Sequence, residues 1–151
     1  MFFKDNPFYL LQVNSTDGSA KISDACERRI LEMDDDEEEI KYKDAESKLT
    51  NPRKRVEAEV SWLCGISAKD VAECVSFALD GQWIVEEYLT RQSGWNQIIL
   101  YKNFILYGNE NPTAECLLKM DSLYDRISIE EIIETINEDR RQSGIVPIND
   151  Q

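Results

Sequence analysis

The densest run of reactive groups in this chain is Asp34-Asp35-Asp36-Glu37-Glu38-Glu39. Six adjacent carboxylates could hold a cation. A calcium loop, however, spaces its oxygens at alternate positions, turns on a central glycine and closes on a bidentate glutamate. This run has none of those features. The expectation is an exposed loop that feeds the first turn of a helix, where the positive end of the peptide dipoles favours acids. Other carboxylates occur side by side, as in Glu86-Glu87 and Glu130-Glu131. Neighbours on a helix point about 100° apart, so neither pair converges on one substrate for acid–base work. The chain has no histidine. Its cysteines, Cys26, Cys64, Cys74 and Cys116, form no C-x-x-C pair, so they supply no zinc set and read as buried thiols in a reducing compartment. No serine or cysteine lies in a nucleophile motif. The expectation is therefore a protein that is not an enzyme, with no catalytic residue, no metal ligand and no cofactor.

Binding chemistry is the remaining possibility. Arg28, Arg29, Arg53, Lys54 and Arg55 are the candidate partner-binding residues, in two short basic clusters. The structural alternative is that these cations are solvated or pair with Glu57, Glu59 or the acidic run, each exposed pair contributing about 0–1 kcal/mol. Trp62, Trp83 and Trp95 could line a groove, but each sits beside apolar residues at helical spacing, so core packing is expected. Seventeen basic residues against thirty acidic ones give a net charge of −13. That field repels nucleic acid and anionic membranes and attracts cations, so a protein partner, if present, is expected to be basic. No apolar run approaches the roughly 20 residues of a membrane span. The start, MFFKDNPFYLL, lacks the layout of a signal peptide, so a cytoplasmic setting is expected.

These residues must be positioned by helices. Asn6-Pro7 and Asn51-Pro52 each place a capping side chain before a proline whose missing N–H costs nothing at a first helical position. The first starts a short helix with Phe8, Leu11 and Val13 inward. Ser19 is the expected cap of a second helix reaching about Met33, with Ile22, Ala25, Cys26, Ile30 and Met33 on its apolar face. Tyr42, Ala45, Leu49, Val56, Val60 and Leu63 recur at helical spacing across the Asn51 break, which predicts two helices joined at a fixed bend with one shared face. Ser67-Ala68-Lys69-Asp70 and Ser128-Ile129-Glu130-Glu131 read as capping boxes. A further helix is expected from Trp83 to Leu89. The run from Trp95 to Tyr107 is expected to be helical rather than a hairpin, since its apolar residues cluster and its centre lacks Asn-Gly. Helices from about Thr113 to Tyr124 and from Ser128 to Arg141 complete an all-α chain of about seven or eight helices. Gly144 stops the last one. A boundary near Cys64 to Ser67 divides the chain into residues 1–65 and 66–151.

Residues 6–63 resemble a J-domain, the co-chaperone module that stimulates seventy-kilodalton heat-shock chaperones. NPFYLLQV resembles the first helix of that family, with Phe8, Leu11 and Val13 at its hydrophobic positions and Gln12 where glycine is common. ISDACERRIL resembles the second helix, with Cys26 where an aromatic is usual. Ala45, Leu49, Asn51, Pro52, Lys54 and Arg55 match the end of the third helix and the Asp-Pro-x-Lys-Arg turn, with Asn51 for Asp. The resemblance implies an antiparallel helical hairpin, followed here by a small C-terminal helical bundle. Active members carry His-Pro-Asp after the second helix; Asp34, Asp35 and Asp36 stand there instead. Glu27 and Glu32 flank Arg28 and Arg29, thinning the basic second-helix face. The expected role is a non-catalytic protein–protein interaction module on a J-like scaffold. The alternatives are an atypical co-chaperone that binds the chaperone without the tripeptide, and a carboxylate- or metal-dependent enzyme. The abrupt tail after Gly144 also fits a piece of a longer protein.

Overall fold

The computed structural model describes residues 1–32, 35–80, 94–107 and 114–148, with the side chains of 80, 104–107, 114–116 and 119 outside that set. Every regular element among them is helical. A 3-10 turn, Phe3–Asp5, precedes α1 (Pro7–Leu11), α2 (Ser19–Leu31), α3 (Asp36–Thr50), α4 (Pro52–Val60), α5 (Ala68–Asp80), α6 (Trp95–Tyr107), α7 (Ala114–Tyr124) and α8 (Ile129–Ser143). No described helix is long and apolar enough to cross a membrane. By contacts the chain forms two compact units: Met1–Gly65 with Ile133–Gln151, and Ile66–Ile132.

Local chemistry explains the helix starts. Asn6 Oδ1 accepts from the Phe8 N–H at 3.0 Å, and Asn51 Oδ1 accepts from those of Arg53 and Lys54 at 3.0 and 3.3 Å. Pro7 and Pro52 occupy the adjoining helical positions. Asp35 caps α3 by accepting from the Glu37 N–H, and Asp36 to Glu39 form its acidic first turn. Ser67 Oγ and Ser128 Oγ accept from the N–H groups of Asp70 and Glu131. The α2 start differs from expectation: Gly18 is the cap and Ser19 is already helical. A Cβ at Gly18 would lie 2.5 Å from the Ser143 carbonyl oxygen, so the close approach of the chain's C-terminal stretch requires glycine there. The helix also ends at Leu31, short of Met33, which lies outside the described residues.

In the first unit α2 packs on α3 and α1, α1 packs on α3, and α3 meets α4. Phe3, Phe8, Leu11, Ile22, Leu49 and Leu63 are fully buried, each contributing about 1.5–3 kcal/mol of hydrophobic stabilisation. Trp62 is core, as expected, with Phe3 edge-on to its ring at 5.4 Å and Phe8 tilted against it at 5.9 Å. Tyr42, Ala45 and Leu49 are buried, but the shared face does not continue through the bend. On α4 the buried residues are Arg55, Ala58 and Glu59, while Val56 and Val60 are half-buried. The extended Asn51, at φ −95 and ψ 115, resets the helical phase.

In the second unit α5 packs on α6, and α6 on α7. Val71, Cys74, Val75 and Ala78 of α5 are buried, as are Ile98 to Tyr101 of α6. The run from Trp95 is thus a helix, and Asn103, buried within it, satisfies its amide by donating to the Ile99 carbonyl at 2.8 Å. Trp95 is half-buried and meets Tyr124 edge-on at 5.7 Å. The helix expected from Trp83 to Leu89 lies outside the described residues.

Candidate functional site

The chain's basic candidates are split by the fold. Arg28 is exposed on α2, whereas Arg29, half-buried, donates from Nε to the Leu10 carbonyl at 3.1 Å and lies 5.5 Å above the Tyr42 ring. Arg53 and Lys54 are exposed on the first turn of α4. Arg55 is not: its exposure is 0%. Its Nη1 donates to the Leu49 carbonyl, its Nη2 to those of Ser15 and Asp17, and its guanidinium lies 5.1 Å over the Phe8 ring. That placement takes Arg55 out of any surface patch. Burial pulls its pKa down, and the Glu59 carboxylate opposes the shift.

Arg55 belongs instead to a buried charge network. Glu59 Oε2 lies 3.5 Å from Arg55 Nε. From the C-terminal helix, Arg140 donates Nε to both Glu59 oxygens at 3.0 Å and Nη2 to Oε1 at 2.6 Å. Its remaining donors reach the carbonyls of Pro52 and Val146. Next to it, Asp139 Oδ2 accepts from Ser15 Oγ at 2.6 Å and from the Gly65 N–H at 3.0 Å. Cys64 lies in the same cluster; burial and the nearby Asp139 and Glu59 carboxylates push its thiol well above the ordinary range. A protonated, fully enclosed thiol is a poor nucleophile. From the sequence Arg140 reads only as part of a helix end, and Asp139 is not singled out. The available signal was on α4, where Arg55, Ala58, Glu59 and Trp62 recur at the three-four-seven spacing of a buried stripe and the two charges stand four apart.

The described residues also form an open groove of about 650 Å³, lined by the turn after α1 and one face of α2. Lys21, Asp24, Arg28 and Leu31 follow one another along α2 at spacings of three, four and three, so they share a side of the helix. Glu27 and Asp17 add acids, and Val13 adds an apolar patch. Gln12 also lines the groove. It caps α1 in the left-handed region at φ 53, and the next N–H, of Val13, returns to the Phe8 carbonyl at 3.0 Å. Lys21 offsets Asp17 only weakly, at 3.8 Å with the lysine largely exposed. At the far end Leu31 is 85% exposed, a large apolar side chain left in water. Across the described residues no group of His, Cys, Asp and Glu is placed to hold a metal ion.

No family model, curated protein or solved structure matches the chain.

Proposed function

We propose that this protein is a non-catalytic protein–protein interaction module on a J-like helical scaffold, and that its partner is basic. The groove along α2 carries the reading. It offers an exposed leucine beside three carboxylates and two cations, an arrangement suited to a basic segment with one apolar anchor. The scaffold part of the reading draws on α2 and α3. Ser23 Oγ donates to Glu46, and Cys26 Sγ to the Tyr42 carbonyl, so one residue number rises as the other falls, as in an antiparallel hairpin. Asp35 and Asp36, which stand for two members of the missing tripeptide, start α3. Cys26, Cys64 and Cys74 are buried and stand outside any disulfide, in keeping with the proposed cytoplasmic setting.

The test is affinity capture with the full chain and with Asp24→Lys/Glu27→Lys, both sites being on the exposed groove side where such changes shift stability by less than about 0.5 kcal/mol. A stoichiometric basic partner held by the parent chain and lost by the variant is expected. Equal capture by both, or capture by neither, refutes the reading. Addition of the full chain to a seventy-kilodalton chaperone should leave ATP turnover unchanged; acceleration would favour the co-chaperone alternative.

A further inference from the structure

The stretch Ile133–Ile148 buries more polar and charged side chains, Asn137, Asp139 and Arg140, than apolar ones. Ile136 and Ile145 are its buried apolar side chains. Against them stand the Asp139 bonds to Ser15 and Gly65, the Arg140 bonds to Glu59 and Pro52, and the Ser143 carbonyl seated on Gly18. The stretch is finished as a piece of its own. The Ile145 N–H returns to the Arg140 carbonyl across the left-handed Gly144, and the Asn137 side chain both donates to and accepts from the backbone of Ile148. Ion pairs formed on docking cost nearly as much desolvation as they return, so an interface of this kind opens more readily than an apolar one of equal area.

What it covers is specific in chemistry. Glu59 presents both carboxylate oxygens, and the Pro52 carbonyl sits where a second edge of a planar cation arrives. Three donors of Arg140 use these acceptors at once, a geometry that matches a guanidinium fork and not the point charge of an ammonium. We propose that Glu59 and the Pro52 carbonyl form a receptor for an arginine side chain, filled in cis by Arg140, and that an arginine-bearing segment of another protein takes the same place when the C-terminal stretch undocks. This receptor lies on α4 and does not rest on the α2 groove, so the two proposals fail independently.

The test uses the full chain. Arg140→Ala should unfold at lower temperature, and methylguanidinium at about ten times its dissociation constant should raise its midpoint by about 3–6 °C. Methylammonium at the same concentration should not. In Glu59→Gln/Arg140→Ala neither cation should act. Hydrogen exchange of the parent chain gives a second readout that does not depend on the variant folding. An arginine homopeptide should remove protection from amides in 133–148, and a lysine homopeptide of equal length should leave it. Equal effects of the two cations, or no response to the guanidinium group in either experiment, would overturn the proposal.

Discussion

Glu59→Gln isolates what the buried carboxylate does. The substitution keeps size and shape and removes one charge. Two guanidinium groups, Arg55 and Arg140, then remain enclosed, with exposures of 0% and 2%. Arg140 keeps one neutral carbonyl acceptor where it had two carboxylate oxygens, and Arg55 loses its ion pair at 3.5 Å. Removing one member of a buried pair costs about 3–5 kcal/mol, because an uncompensated charge stays out of water. A domain's whole stability is about 5–15 kcal/mol, so this is a large fraction of it. In thermal unfolding, followed by far-ultraviolet circular dichroism, the expected fall in midpoint is roughly 6–20 °C. A cycle with Arg140→Gln and the double variant sharpens the reasoning. The two changes should be strongly non-additive, since the second removes a charge the first left stranded. A loss for Glu59→Gln below about 1 kcal/mol, or simple additivity, would show that the network is hydrated and the packing argument wrong.

Two further outcomes follow from other residues. Asn6→Ala should cost more than Asn51→Ala in urea unfolding. Both lose a helix cap of about 0.5–2 kcal/mol, but Asn6 also donates from its buried amide to the Ala58 carbonyl at 2.9 Å, and losing that bond adds about 0.5–1.5 kcal/mol, the Ala58 carbonyl still accepting from the Ser61 N–H; equal losses would contradict this account. Cys26 is pushed up to about 12, first by burial and then by its hydrogen bond and charge contact with Glu46. A raised thiol pKa keeps the proton on in the folded chain, so its stabilising contribution is complete below the unfolded value of about 9 and is lost as pH rises from there towards 12. Urea midpoints should fall over that window, and Cys26→Ala should flatten the fall; an unchanged slope would remove Cys26 as its source.

What the amino-acid order made legible was short in range. The caps at Asn6, Asn51, Ser67 and Ser128 act within three residues, so each is visible as a local pattern. The inward placement of Phe8, Leu11, Ile22, Tyr42 and Leu49 follows from spacing for the same reason. The misreadings share a cause. Tracing α4 by its valines fails because its buried stripe is charged, and charged residues are buried only when a partner arrives from elsewhere. That partner, Arg140, is 81 positions away, and no local rule joins it to Glu59. The same distance hides the need for glycine at position 18, which arises from a carbonyl at position 143. Arg55 therefore looked like part of a basic surface and is instead an internal strut, reaching back to Ser15 and Asp17 from the bend after α3. Of the five cations, Arg28, Arg53 and Lys54 remain exposed, on two different helices. This redistribution weakens a basic docking patch. It leaves the acid-rich, leucine-ended side of α2 as the surface best matched to the long-range field of a chain carrying −13. That side of α2 is what supports the proposed basic partner.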